Sequence, residues 1–127
     1  MAEWIVGCKR DATFGPIILA GPGSILVALI DAAEILLAPS GPQTAERMLS
    51  SGPGDRLLMG LRGAEPADRG ALAGLISRIS VFFAGNADLI SEIEINLVMV
   101  RADGKGLVAV DALIVLSPEA DQQEKFT

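Results

Sequence analysis

The chain has 127 residues, 50% of them hydrophobic and 20% charged, which is enough to form one domain or part of a larger one and excludes a disordered chain. Its net charge of −6, with Lys and Arg scattered, excludes a basic footprint for nucleic acid. Without any histidine, the chain alone cannot carry His-dependent triads, His-ligated zinc or phosphohistidine chemistry.

A single cysteine, Cys8, offers no disulfide framework and favours a reducing cytoplasm. Charged residues interrupt the start of the chain, so we expect no signal peptide. The stretch 16–38 is strongly apolar, but Gly21-Pro22-Gly23 breaks it and the uninterrupted runs are too short to span a bilayer. We therefore expect buried strands here and no membrane segment.

Short apolar runs predict strands in the first part of the chain. Residues 4–9 and 17–20 form two such runs, separated by the turn residues 9–16. Residues 25–30 form a continuous apolar run after a Gly/Pro break, which favours a third strand over a helix. For residues 31–37 the pattern fits either a helix or a strand.

Two short helices are predicted next. Ser40 followed by Gln43 is the pattern of a capping box, and it predicts a helix over 43–50 that ends at Gly52-Pro53-Gly54. Asp55 can cap a second short helix directly afterwards.

The clearest helix is predicted from about Ala67 to Ala84, with a C-terminal stop at Gly85-Asn86. Apolar residues recur on one of its faces at helical spacing. They are Leu72, Leu75, Ile76, Ile79, Phe82 and Phe83.

Residues 89–115 predict a hairpin, because the Asp103-Gly104 pair separates two apolar runs. A two-residue turn there places Asn96 directly opposite Asp111, whereas a four-residue loop from Asp103 to Gly106 makes them diagonal neighbours. Direct partners have Cβ atoms roughly 4.5–5.5 Å apart, so an amide and a carboxylate oxygen can share one cation.

The first strand of this hairpin predicts two different faces. Apolar residues alternate with mostly polar ones, the pattern of a half-buried strand. The two sets are Ile93, Ile95, Leu97 and Met99, and Glu92, Glu94, Asn96 and Val98. The polar set suits a Mg²⁺ site shared with nucleotide phosphates, and the alternative is a solvated face with Asp111 at its edge.

The order strands, helices, hairpin predicts an α+β fold, a two-layer sandwich of a mostly antiparallel sheet with helices on one face. We assign residues 1–117 to this domain and 118–127 to a polar, flexible tail.

Two further motifs are candidates for phosphate binding. Gly21 and Gly23 permit close backbone approach, so exposed amides there can hold phosphate oxygens, and Arg62 lies in a glycine-flanked loop. Ordinary turns and solvated charges are the alternative explanation for both.

Several short motifs occur together in the order known from one family. They are Glu3-x-x-x-Gly7-x-Lys9-Arg10-Asp11-x-x-Phe14-Gly15-Pro16, Gly21-x-Gly23, Leu37-Ala38-Pro39, Gly60-Leu61-Arg62-Gly63, Pro66-Ala67-Asp68, Glu94-Ile95-Asn96 and Val110-Asp111-Ala112. Over residues 3–117 the chain resembles the second subdomain of the ATP-grasp domain of NDP-forming acyl-CoA synthetases, and more distantly succinyl-CoA synthetase beta subunits.

The resemblance implies that Asn96 and Asp111 are Mg²⁺ ligands beside the phosphates of ATP or ADP. It also implies that Glu3 lies near the nucleotide, and that the glycine-rich segment containing Gly21, Gly23 and Ser24, together with Arg62, contributes to nucleotide binding. The family makes acyl-CoA from an acid, CoA and a nucleoside triphosphate, or runs the reverse reaction. Phosphate moves through an acyl phosphate and a phosphohistidine on another domain, and the protein contributes mainly positioning and charge neutralisation.

The chain departs from the family pattern at several positions. Ser24 replaces the second glycine of Gly-x-Gly-Gly, and Ala28 stands where an acidic residue is expected. Ala32 stands where an aspartate is expected, unless Asp31 replaces it, and Asn96-Leu97 replaces Asn-Pro. The first ATP-grasp subdomain, with its lysines and adenine pocket, does not occur in this sequence.

Two hypotheses follow for function. The chain is either an ATP-grasp half-domain that is inactive alone and needs an N-terminal ATP-grasp subdomain or a CoA-binding subunit, or a degenerate, non-catalytic binding or assembly module. In both cases the high apolar content predicts a homo-oligomer when the chain is isolated.

Overall fold

The computed structural model describes residues 1–23, 34–52, 54–60 and 63–118. In these residues the strands are β1 (Ala2–Asp11), β2 (Gly15–Pro22), β3 (Glu34–Leu37), β4 (Ile90–Val100), β5 (Leu107–Ala109) and β6 (Ala112–Leu116). The helices are α1 (Pro42–Ser51), α2 (Asp55–Met59) and α3 (Arg69–Gly85). The predicted strand over 25–30 lies outside the described residues, as does nearly all of the predicted tail.

The strands form one antiparallel sheet in the order β3-β2-β1-β4-β5, and β6 pairs with the other end of β4. Alternate residues of β1, including Trp4, Val6 and Cys8, are buried because strand side chains alternate between faces. They belong to one core cluster with residues of the helices, among them Leu72 and Phe83. The predicted α+β sandwich, with helices on one face of an antiparallel sheet, is confirmed.

The predicted capping box at Ser40 is wrong. Helix α1 begins at Pro42 with Gly41 as its N-cap residue, and no side chain caps it. The carbonyl oxygen of Ser40 instead accepts hydrogen bonds from the hydroxyls of Ser77 (2.8 Å) and Ser80 (3.2 Å) in α3. The backbone of Ser40 therefore ties the start of α1 to the neighbouring helix.

The predicted cap at Asp55 is also wrong. Gly54 is the N-cap residue of α2, without a side-chain hydrogen bond. The Asp55 carboxylate lies 2.7 Å from the Arg69 guanidinium, so it joins α2 to the start of α3.

Helix α3 begins at Arg69, slightly later than predicted, and its N-cap is Asp68. Its buried face is shifted from the predicted one: Phe82 is 47% exposed, whereas Ser77 and Ser80 are buried. The shift arises because both serines bond to the chain segment before α1, a tertiary contact that helical periodicity does not encode.

Candidate functional site

The hairpin register brings the two predicted Mg²⁺ ligands together. The N–H of Lys105 donates to the carbonyl of Ala102 (2.8 Å), so Asp103-Gly104 is a two-residue turn, and Gly104 has the positive φ of 80° that glycine tolerates. The same register holds from the Val100–Leu107 pair to the Glu92–Val115 pair, and it shifts only beyond these, between Glu92 and Ile90. The N–H of Asn96 donates to the carbonyl of Asp111 at 3.1 Å, and the predicted direct pairing is confirmed.

The pair belongs to a row that crosses the sheet. Gly21 of β2 pairs with Ile5 of β1, and Ile5 pairs with Asn96 of β4, which faces Asp111. Neighbouring strands lie about 4.8 Å apart, so Gly21 is about 10 Å from Asn96. Ile5 is fully buried and Gly21 is buried, whereas Asn96 and Asp111 are exposed. The polar end of the row is the end open to solvent.

Glu3 and Gly23 lie next to this row. The N–H of Gly23 donates to the carbonyl of Glu3 at 2.9 Å, and Glu3 is two positions before Ile5 on the same face of β1. Gly23, which has no side chain, is half-buried beside Glu3, whereas Gly21 is buried within β2. Five predicted site residues thus share one end of one sheet face; Ser24 and Arg62 lie outside the described residues.

The simple alternation predicted for β4 fails after Asn96. Val98 and Val100 are buried, whereas Leu97 and Met99 are only partly buried. The register between β1 and β4 shifts at Trp4/Ile5, where Leu97 is the extra residue of a β-bulge. A bulge reverses the facing of every later side chain, which explains the change. The peptide bond between Asn96 and Leu97 is cis.

A cleft of about 330 Å³ opens beside Glu3. Its lining includes Gly23, Gly60 and Glu65. Gly60 has φ of 94°, and a Cβ there would lie 2.3 Å from the carbonyl oxygen of Ala64, so a side chain is excluded. Sequence reasoning singled out the Gly60-Leu61-Arg62-Gly63 motif for its arginine and missed that its first glycine borders this cleft.

The charged turn between β1 and β2 is not part of this site. Asp11 Oδ2 accepts hydrogen bonds from the N–H groups of Phe14 (2.9 Å) and Thr13 (2.8 Å), which lower the pKa of the Asp11 carboxyl. At about 3.3 Å per residue, the length of β1 separates this turn from Glu3 by roughly 26 Å. Lys9 and Arg10, both exposed, lie at that far end.

Cys8 lies on the core face of β1 and is 1% exposed. Burial raises the pKa of its thiol to about 12, so the thiol is protonated at neutral pH and is not an activated nucleophile.

In the part of the chain that the structure describes, no helix is long and apolar enough to cross a membrane.

Known proteins resemble the chain in sequence. The ATP-grasp domain family matches residues 1–116. The chain is 35% identical to "Acetate--CoA ligase [ADP-forming] I" of Archaeoglobus fulgidus over 117 residues, 92% of this chain and 17% of that protein. It is 33% identical to "Acetate--CoA ligase [ADP-forming] II subunit beta" of Pyrococcus furiosus over 114 residues, 90% of this chain and 48% of that one. The chain therefore spans less than half the length of these relatives.

Solved structures agree with these relatives. PH1788 from Pyrococcus horikoshii superposes with a TM-score of 0.84 at 32% identity, covering 92% of this chain and 49% of that one. Acetyl-coenzyme A synthetase 1 of Ca. Korarchaeum cryptofilum, in complex with coenzyme A and Mg-AMPPCP, superposes with a TM-score of 0.81 at 33% identity. The match covers 91% of this chain and 53% of that one. The chain belongs to the ATP-grasp domain family, and its relatives are the ATP-grasp regions of ADP-forming acetyl-CoA synthetases.

Proposed function

We propose that this chain is an ATP-grasp half-domain that binds the phosphates of Mg-ATP or Mg-ADP in an NDP-forming acyl-CoA synthetase. In this proposal Asn96 and Asp111 hold the Mg²⁺, while Glu3, Gly21 and Gly23 line the nucleotide side. Ser24 and Arg62 are proposed as further phosphate contacts from the family pattern alone.

The direct pairing of Asn96 with Asp111 carries the proposal. One amide and one carboxylate on neighbouring strands form an all-oxygen donor pair, which fits Mg²⁺ because this ion takes one or two protein ligands plus phosphates and water. Within the described residues, no group of three or more His, Cys, Asp or Glu could hold a metal by itself. We therefore expect the cation to arrive with the nucleotide; one relative was solved in complex with Mg-AMPPCP.

The chain alone is expected to bind Mg-ADP weakly and to lack turnover, because one face of the nucleotide would remain in solvent. We expect a Kd of about 0.1–1 mM by calorimetry, which corresponds to roughly −4 to −5.5 kcal/mol. Asp111→Ala and Asn96→Ala should each weaken Mg-dependent binding at least about tenfold, or about 1.4 kcal/mol. Asp88→Ala is the matched control, an exposed aspartate just before β4 and away from the Asn96–Asp111 pair, and should bind like wild type.

The N-terminal ATP-grasp half of a relative, supplied as a separate chain, should tighten the binding. No binding even with this half present would refute the nucleotide role. Binding that survives Asp111→Ala unchanged would refute the metal assignment and leave the nucleotide role standing.

A second candidate function is a non-catalytic assembly module. It is favoured by exposed apolar side chains on β6 and on the neighbouring Val110. For either function, the single cysteine supports a proposed cytoplasmic location.

A further inference from the structure

The sheet edge formed by β5 and β6 is almost uncharged. β5 and β6 follow each other along the same edge of β4, and Asp111 is the sole charged residue in 107–116. Among the described strands, none pairs with the other side of β6. Exposed edge strands are normally protected by lysine, proline or inward-pointing charges, because their free N–H and C=O groups pair with other chains. β6 has none of these residues.

Both faces of β6 are apolar and open. Leu113 (56% exposed) and Val115 (37%) point to the face of Asn96, while Ile114 (50%) and Leu116 (39%) point to the opposite face. A partner lying on one face would cover alternate side chains and leave the others in water. A strand added along the edge contacts the neighbours on both faces and also uses the free backbone groups.

We propose that β6 pairs antiparallel with β6 of a second copy of this chain, across a two-fold axis, so that two sheets become one. Such an interface is self-complementary, because residues 112–116 carry no charge that would face its own copy. The exposed side chains from Val110 to Leu116 present on the order of 500 Å² per copy, so the pair buries at most about 1,000 Å², the lower limit for a specific interface. The dimer should therefore be weak and concentration-dependent, with a Kd of about 1–100 µM.

Charge distinguishes a second copy from a different partner. Glu92 and Glu94 pair with Val115 and Leu113, next to the proposed interface, and each copy carries a net charge of −6. Two copies therefore repel each other at long range, and salt should strengthen the dimer by screening this repulsion within a Debye length of about 8 Å at 0.15 M. A basic partner protein would instead bind more weakly in salt.

Sedimentation velocity of the whole chain tests the proposal between about 1 and 200 µM. The 13.2 kDa chain should shift from monomer to twice this mass, and at lower concentration when NaCl is added. Leu113→Lys and Ile114→Lys, one on each face of β6, should both give monomers. Ile35→Lys, at a residue 58% exposed on the far edge strand, is the matched control and should still dimerise.

Several results would overturn the proposal. They are a monomer at every concentration, dissociation by the substitution on one face alone, equal dissociation by Ile35→Lys, and growth beyond the dimer. Circular dichroism and the fluorescence of Trp4, the single tryptophan, verify that each variant is folded.

Oxidative crosslinking gives an independent measurement. A cysteine introduced in turn at residues 113–115 should form an intermolecular disulfide at the position nearest the two-fold axis, because Cα atoms must come within about 7 Å. Cys8 is buried and does not compete. A scan that yields no crosslinked dimer at any of these positions would also refute the pairing.

Discussion

Removing the Asp68 side chain should destabilise the domain and loosen the hairpin that carries Asp111. One carboxylate oxygen of Asp68 accepts a hydrogen bond from the N–H of Ala71 (3.1 Å), which caps helix α3. The other accepts from the N–H of Gly106 at 2.8 Å. The N–H of Asp68 itself donates to the carbonyl of Arg101 at 2.7 Å. The residue therefore joins the start of α3 to both sides of the hairpin turn.

The loss in free energy of unfolding can be worked out from the two side-chain hydrogen bonds that Asp68→Ala removes. Loss of an N-cap costs about 1 kcal/mol. Loss of a charged hydrogen bond costs about 1.5–3 kcal/mol when the partner is buried, and the half-buried position of Asp68 favours the lower end. Asp68→Ala should thus lower the free energy of unfolding by about 2–3 kcal/mol. With an unfolding entropy of about 2.1 cal/mol/K per residue, the melting temperature should fall by roughly 8–11 °C.

Asp68→Asn separates the two bonds. Its single amide oxygen can keep the cap at Ala71, while its NH₂ group faces the N–H of Gly106 and cannot accept from it. The melting temperature of Asp68→Asn should fall by about half as much as that of Asp68→Ala, as measured by Trp4 fluorescence. In hydrogen exchange, the amide of Gly106 should lose protection in both variants, and that of Ala71 only in Asp68→Ala. Wild-type melting in both variants, or unchanged protection at Gly106, would refute this account of the hairpin.

Two other predictions concern the core under β1. The unfolded chain ionises its Cys8 thiol near pH 9, whereas the folded chain keeps the proton up to a pKa of about 12. Stability should therefore fall as pH rises above 9, by about 1.4 kcal/mol per pH unit, and urea unfolding of Cys8→Ala should lack this slope. A Cβ at Gly54 would lie 2.4 Å from Cη2 of the buried Trp4, so Gly54→Ala should cost about 1–3 kcal/mol. A Cβ at Gly74 would have no atom within 4 Å, so Gly74→Ala should be stabilised by up to about 1 kcal/mol in the same urea-unfolding assay. Equal stability of Gly54→Ala and Gly74→Ala would contradict the packing at Trp4.

The parts of the fold that depend on local geometry could be predicted from the sequence. The Asp103-Gly104 turn sets the hairpin register by itself, so the pairing of Asn96 with Asp111 followed from a few residues. The bulge at Leu97 could not be predicted in the same way, because it arises from the pairing of β4 with β1, which is distant in sequence.

All three predicted helices are present, but the predicted caps at Ser40 and Asp55 failed for a similar reason. The pattern at Ser40 fits a capping box, and no local signal indicates that its backbone bonds to Ser77 and Ser80 instead. Tertiary contacts overrode the local preference there, as they did at Asp55, which pairs with Arg69. Of the candidate site, the residue pairing could be predicted, while the cleft beside Glu3 required the arrangement of three separate segments.

The residues beside Asp111 argue against the alternative that its carboxylate only borders a solvated polar face. On the face it shares with Asn96, the next residues of its strand are Leu113 and Val115, both apolar and partly exposed. A strand segment kept only for contact with water would not place leucine and valine beside its one carboxylate, Asp111. A single charged residue on an edge strand that is otherwise suited to pairing destabilises the paired state, because the charge loses contact with water. Its position opposite Asn96 and in line with Gly21 therefore favours a ligand role for Asp111 over solvation alone.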